Sequence, residues 1–151
     1  MALFKLIHVL AVVIWVGGMF FAYMVLRPSA VEVLEAPQRL RLWDAVFGRF
    51  FGWVWVVVAA LLVSGFYMIY LAGGLSHTPR HVHIMLALGL VMTMIYSYVY
   101  FACYVPFSLH VANQRWPEAG KILGKIRVLV ALNLTLGLLT VCVVIIGMGW
   151  K

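Results

Sequence analysis

An all-α integral membrane protein, built as a four-helix bundle, is the fold class this sequence predicts, and three observations predict it. The chain is 66% hydrophobic, it carries 4 Asp or Glu against 11 Lys or Arg, and its apolar residues fall into four long windows. A hydrocarbon core about 30 Å thick needs about 20 mostly apolar residues per helical crossing. Windows at roughly 4–26, 50–72, 82–105 and 128–149 meet that need. What lies between them is too short to build a second core, so residues 1–151 are expected to form a single transmembrane domain.

The first window begins behind Lys5. It is too long for a signal peptide and lacks a small-residue cleavage pattern before Arg27, so it is expected to remain in the mature protein. His8, Ala11, Trp15, Gly18 and Ala22 recur at alternating steps of three and four, which places them on one helical stripe. An imidazole followed by small residues and one Trp either admits a close neighbouring helix or leaves a slot for a flat ligand.

Arg27-Pro28 is expected to end that span, because proline discourages helix in the residue before it. Ser29 and Glu32 have capping-box spacing, which predicts a short surface helix over Ala30 to Ala36. Beyond Pro37, Leu40, Trp43, Phe47 and Phe51 recur at helical spacing while Arg39, Arg41, Asp44 and Arg49 take the other side. This pattern predicts an amphipathic segment feeding the second span.

The second span has no charge and ends at Gly73-Gly74. Its aromatics gather toward the ends as an interfacial belt would require, and Ser64-Gly65 offers a place for close helix approach. Thr78-Pro79 then reads as an N-cap with proline in the first turn of the third helix. Tyr96, Tyr100 and Tyr104 follow at steps of four and read as interface anchors, and Pro106 is expected to close the helix. Trp116-Pro117-Glu118 should begin a short helix leading into the last span, where Asn133, Gly137 and Thr140 form another small and polar stripe. A hydrogen bond between helices is the default role for Asn133, and contact with a cofactor the sharper one. Cys103 and Cys142 fall inside spans and read as small hydrophobes.

Eight of the basic residues lie on two loops: Arg27, Arg39, Arg41 and Arg49 after the first span, and Arg115, Lys121, Lys125 and Arg127 after the third. Lys5, Arg80 and Lys151 lie on the other side. The positive-inside rule therefore predicts cytoplasmic loops with short amphipathic helices, periplasmic termini, and a multi-pass protein of a bacterial inner (plasma) membrane. The net charge of +7 is then a topology signal, with lipid as the partner and no nucleic acid required.

The first and third spans run in the same direction, so His8 and the cluster His77, His81 and His83 share a leaflet. Ionisable groups inside a membrane are functional candidates. His81 and His83 are about 200° apart on a helix, so one of them faces the bundle, and His83, the deeper, is expected inward. Two facing imidazoles suit haem b, with the stripe of Ala11, Trp15 and Gly18 as its slot and Asn133 as a further contact. The same residues, with His77, His81 and Met85, would suit copper. Histidines that only hold helices together are a third reading.

The run from Ile7-His8-Val9 to Trp15-Val16-Gly17-Gly18-Met19-Phe20, with His81-Val82-His83 and Lys125-Ile126-Arg127 followed by Asn133, resembles the CopD family of small bacterial inner-membrane proteins. It is similar, more distantly, to the HemJ type of protoporphyrinogen oxidase. The CopD likeness implies copper resistance or uptake. The HemJ likeness implies haem binding at His8, but a lysine associated with that activity has no counterpart between Lys5 and Lys121.

The expectation is thus a haem b protein, ligated by His8 and His83, exchanging electrons with a quinone or a periplasmic redox partner. Copper binding, uptake or resistance is the alternative. HemJ-like porphyrinogen oxidation and a cofactor-free assembly subunit stand third, and a homo-oligomer is compatible with each.

Overall fold

The computed structural model describes residues 1–149, so Lys151 lies outside the described residues. Four helices run through it: α1 (Ala2–Val33), α2 (Ala36–Leu71), α3 (Arg80–Ala112) and α4 (Trp116–Gly149). Each is long and apolar enough to cross a membrane. At 1.5 Å per residue each is about 50 Å long, well beyond the hydrocarbon thickness. The surplus projects from one end, and that end carries every arginine except Arg80. The expected surface segments are therefore continuations of the spans.

Neither Pro28 nor Pro106 breaks its helix, contrary to the sequence expectation. A proline removes one N–H and presses on the carbonyl four residues earlier, here those of Met24 and Ala102. Both carbonyls lie in six-residue π-helical stretches, Phe21–Leu26 and Val99–Tyr104. Each stretch ends two residues before its proline. The wider turn absorbs the missing bond without a gap in the helix.

The first break comes later, at Leu34, which is extended (φ −118°, ψ 140°). Glu35 then caps α2 in a reciprocal box with Gln38, and the Glu35 N–H donates to Gln38 Oε1 at 3.2 Å. Ser29, expected to be a cap, instead donates to the Val25 carbonyl at 2.9 Å within α1. At the other end Gly73 and Gly74, both at positive φ, turn the chain into a 3-10 turn, Leu75–His77. Pro79 caps α3 one residue later than expected. Gln114, also at positive φ, reverses the chain into α4, which starts at Trp116 and continues without interruption into its span.

Packing pairs α1 with α2 and α3 with α4. An aromatic seam then joins α2 to α3. Phe47 and Phe51 stack at 5.0 Å, Trp55 meets Tyr96 at 4.9 Å, and Phe51 meets Tyr104 at 5.2 Å. The Tyr96 hydroxyl donates to the Phe51 carbonyl at 2.7 Å. The tyrosine ladder is thus part of this seam and not a set of interface anchors. Leu40, Trp43, Phe47 and Phe51 are all buried, as their spacing predicts, with Arg41 and Arg49 exposed. Cys103 and Cys142 are both free.

On α1, Ala11 and Trp15 are buried in the core. Gly18 is covered by the Phe50 ring, which a side chain at that position would overlap. The small stripe is therefore filled by helix packing and leaves no flat slot there. Gly17, its neighbour, has nothing within 4 Å of an added Cβ. Overpacking costs typically about 1–3 kcal/mol, so Gly18→Leu is expected to lower the unfolding midpoint in detergent. Gly17→Leu should leave it unchanged, and equal midpoints for the two variants would contradict the Phe50 contact.

Candidate functional site

In the half of the bundle nearest the two termini, the four helices line a half-open cavity of about 360 Å³. His8 and Trp15 line it from α1, Gly65 from α2, Met85 and Thr93 from α3, and Thr140 from α4. The threonine hydroxyls donate to carbonyls of their own helices, Thr93 to Gly89 and Thr140 to Leu136. His8 is the one histidine lining the cavity among the described residues.

His8 is held from α2. Its Nδ1 lies 2.9 Å from Ser64 Oγ, and Ser64 is 1% exposed. The Ser64 hydroxyl donates its single hydrogen to the Ala60 carbonyl. With that hydrogen on Ala60, the oxygen is free to accept from His8, the arrangement in which Nδ1 carries the imidazole proton and Nε2 keeps its lone pair. Gly65 makes room for the ring, since a Cβ there would stand 3.4 Å from His8 Cε1. Neutral imidazole presenting one unprotonated nitrogen is the form in which histidine binds metals.

Ser64-Gly65 was legible in the sequence as a point of close approach. That it faces His8 was not, because the depth match between α1 and α2 depends on the length of the Leu34–Glu35 connection.

The other candidates are distributed differently from expectation. His83 is exposed, with Nδ1 3.2 Å from the Pro79 carbonyl, and it does not line the cavity. His81 is the member of the pair that turns to the bundle: its ring packs where a Cβ on Gly147 of α4 would stand. The roughly 200° between the two positions makes these assignments exclusive, and the glycine on α4 decides between them. His77 is exposed, with Nδ1 2.9 Å from the Gly73 carbonyl. Since carbonyls only accept, Nδ1 is the protonated nitrogen in both His77 and His83.

Asn133 is buried, its Oδ1 without a hydrogen-bond partner among the described residues. It sits on the stripe of Gly137 and Thr140 but does not line the cavity. Ala11 and Gly18 do not line it either.

Haem b held between two imidazoles needs both on facing walls of one slot. Here His8 stands on the cavity, His83 lies outside it, and the space at Gly18 is taken by Phe50. The residues present do not fit a haem ligated by His8 and His83. Among the described residues no three His, Cys, Asp or Glu side chains come together as a ready metal cage. What His8 does share the cavity with is two methionines, Met85 and Met92, whose thioethers are soft donors suited to Cu(I).

A family model described as CopD, copper resistance protein D, matches residues 44–146. The matched segment holds most of α2, all of α3 and nearly all of α4, including Ser64, Gly65 and Met85. α1 with His8 precedes it. No curated protein and no solved structure matched the chain.

Removing the Ser64 hydroxyl leaves the His8 Nδ1–H without its acceptor. Ser64→Ala is expected to replace a single Nδ1–H tautomer by a mixture, visible in the nitrogen chemical shifts of labelled histidine, and to cost about 0.6–1.7 kcal/mol of stability. An unchanged His8 spectrum would refute the assigned hydrogen-bond chain.

Proposed function

The chain belongs to the copper resistance protein D family, and from that premise we propose that it binds copper as cargo at the membrane, with His8 as the ligand inside the bundle. The single observation supporting this most is the chain from Ala60 through Ser64 to His8, which engages Nδ1 and leaves Nε2 as the available ligand nitrogen at an apolar cavity. Met85 on the same cavity adds a thioether. Imidazole with thioether favours Cu(I) over hard cations such as Mg²⁺ or Ca²⁺, which require oxygen ligands.

His77, His81 and His83 supply the entry side of this reading. They lie on and beside the 72–79 turn, at the same end of the bundle as the cavity. His77 and His83 have Nδ1 committed to backbone carbonyls, which leaves Nε2 for a metal. Copper captured there passes inward to His8. The eight basic residues at the opposite end support an orientation in a bacterial plasma membrane with the termini and the histidines outside. Uptake and resistance share this first step, ligation at the outer end.

Purified protein titrated with Cu(I) against a chromogenic chelator tests the proposal. His8→Ala is expected to weaken binding by about 100-fold or more, and Ser64→Ala by about 10- to 100-fold, the usual cost of losing a partner behind a ligand. Met94, 63% exposed on the outer surface of α3, provides the control, and Met94→Leu should bind as wild type. Wild-type affinity in His8→Ala would exclude His8 as the ligand.

A further inference from the structure

A second cavity, about 80 Å³, lies at the arginine-rich end between α1, α2 and α4. Arg27 from α1, Arg39 from α2 and Arg127 from α4 all line it, and no acidic residue does so among the described residues. Arg27 lies over the Tyr23 ring at 5.1 Å. Arg39 spends one of its five N–H donors on the Leu34 carbonyl, at 3.3 Å. The rule that places basic residues on cytoplasmic loops accounts for their presence at this end. It does not account for three arginines from three helices lining one cavity with no acidic residue among its walls, an arrangement whose charge an anion would neutralise.

We infer that this cavity binds the phosphate of an anionic phospholipid. Guanidinium groups are suited to phosphate because their donors match its oxygens in pairs. The volume admits a group only a few atoms across. Its remaining walls are apolar, with Ala22, Leu123 and Val130 among them, and Val31 at the edge is exposed. These are the surroundings of a lipid phosphate with its glycerol and the first acyl carbons. The cavity lies where the apolar spans give way to charge, the depth at which a bilayer holds its phosphates, so a lipid reaches it without leaving the membrane. Basic pockets between spans that take anionic headgroups follow the same physics.

The test is native mass spectrometry of full-length protein released from vesicles of equal phosphatidylglycerol and phosphatidylcholine. Wild type is expected to retain phosphatidylglycerol in preference to phosphatidylcholine. Arg127→Gln and Arg39→Gln, on different helices, should each reduce that retention about fivefold, the equivalent of one basic contact at the membrane surface. Arg115→Gln removes the same charge from the same end but outside the cavity, and should retain lipid as wild type. Should one cavity variant fail to fold, the other is read against Arg115→Gln. No preference in wild type, or equal loss in Arg115→Gln, overturns the inference. Displacement of the lipid by inorganic phosphate at millimolar concentration overturns it in favour of a free anion.

Discussion

Every backbone N–H and C=O of a chain in hydrocarbon has to be satisfied within the protein, and most of this structure follows from that constraint. It keeps the four helices continuous far past the length a bilayer needs. It also explains why the two internal prolines are accompanied by π-helical turns: a broken helix would expose several unpaired groups to lipid, whereas a widened turn accommodates one missing donor. The side-chain hydroxyls obey the same rule. Ser29, Thr93, Ser97, Thr135 and Thr140 each donate to the carbonyl four residues back in their own helix. Their single hydrogens are thereby committed, which leaves these hydroxyls only as acceptors.

Against that background the hydrogen bonds that do cross between spans stand out. Among the described residues they include His8 with Ser64, Tyr96 with the Phe51 carbonyl, and Lys125 with Tyr98. The second locks the aromatic seam between α2 and α3. The third joins α3 to α4 through a basic residue that also lies 4.9 Å from the centre of the Tyr98 ring. The first is different in kind, because one of its members retains an unused lone pair beside a cavity.

Fold class and the four spans were legible in the sequence because hydrophobic length is a one-dimensional signal. So was the buried face of α2, where Leu40, Trp43, Phe47 and Phe51 repeat at the helical period. Prolines 28 and 106 misled, since a π turn leaves no local signature beyond the apolar residues that form it. The choice between His81 and His83 failed for another reason. Depth along α3 favours His83, but the orientation of the helix about its own axis is set by what α4 offers, and Gly147 offers space to His81. The stripe of Ala11 and Gly18 was correctly seen as small, yet smallness alone does not say whether a ring of the protein or a ligand fills the space.

The dependence between His8 and Ser64 runs in one direction. Ser64 is satisfied by the Ala60 carbonyl whether or not a histidine is near, so the helix that carries it gains little from His8. His8 without Ser64 would lose the hydroxyl that its Nδ1 engages, which is costly in a medium that supplies little water. The pair therefore reads as a positioning device for the imidazole and not as a clasp between α1 and α2, which already meet along Gly18 and Phe50. Ser64 and Gly65 lie within the segment matched to the copper resistance protein D family, and the imidazole they orient comes from the helix before it. The family segment thus supplies the socket, and α1 supplies the group held in it.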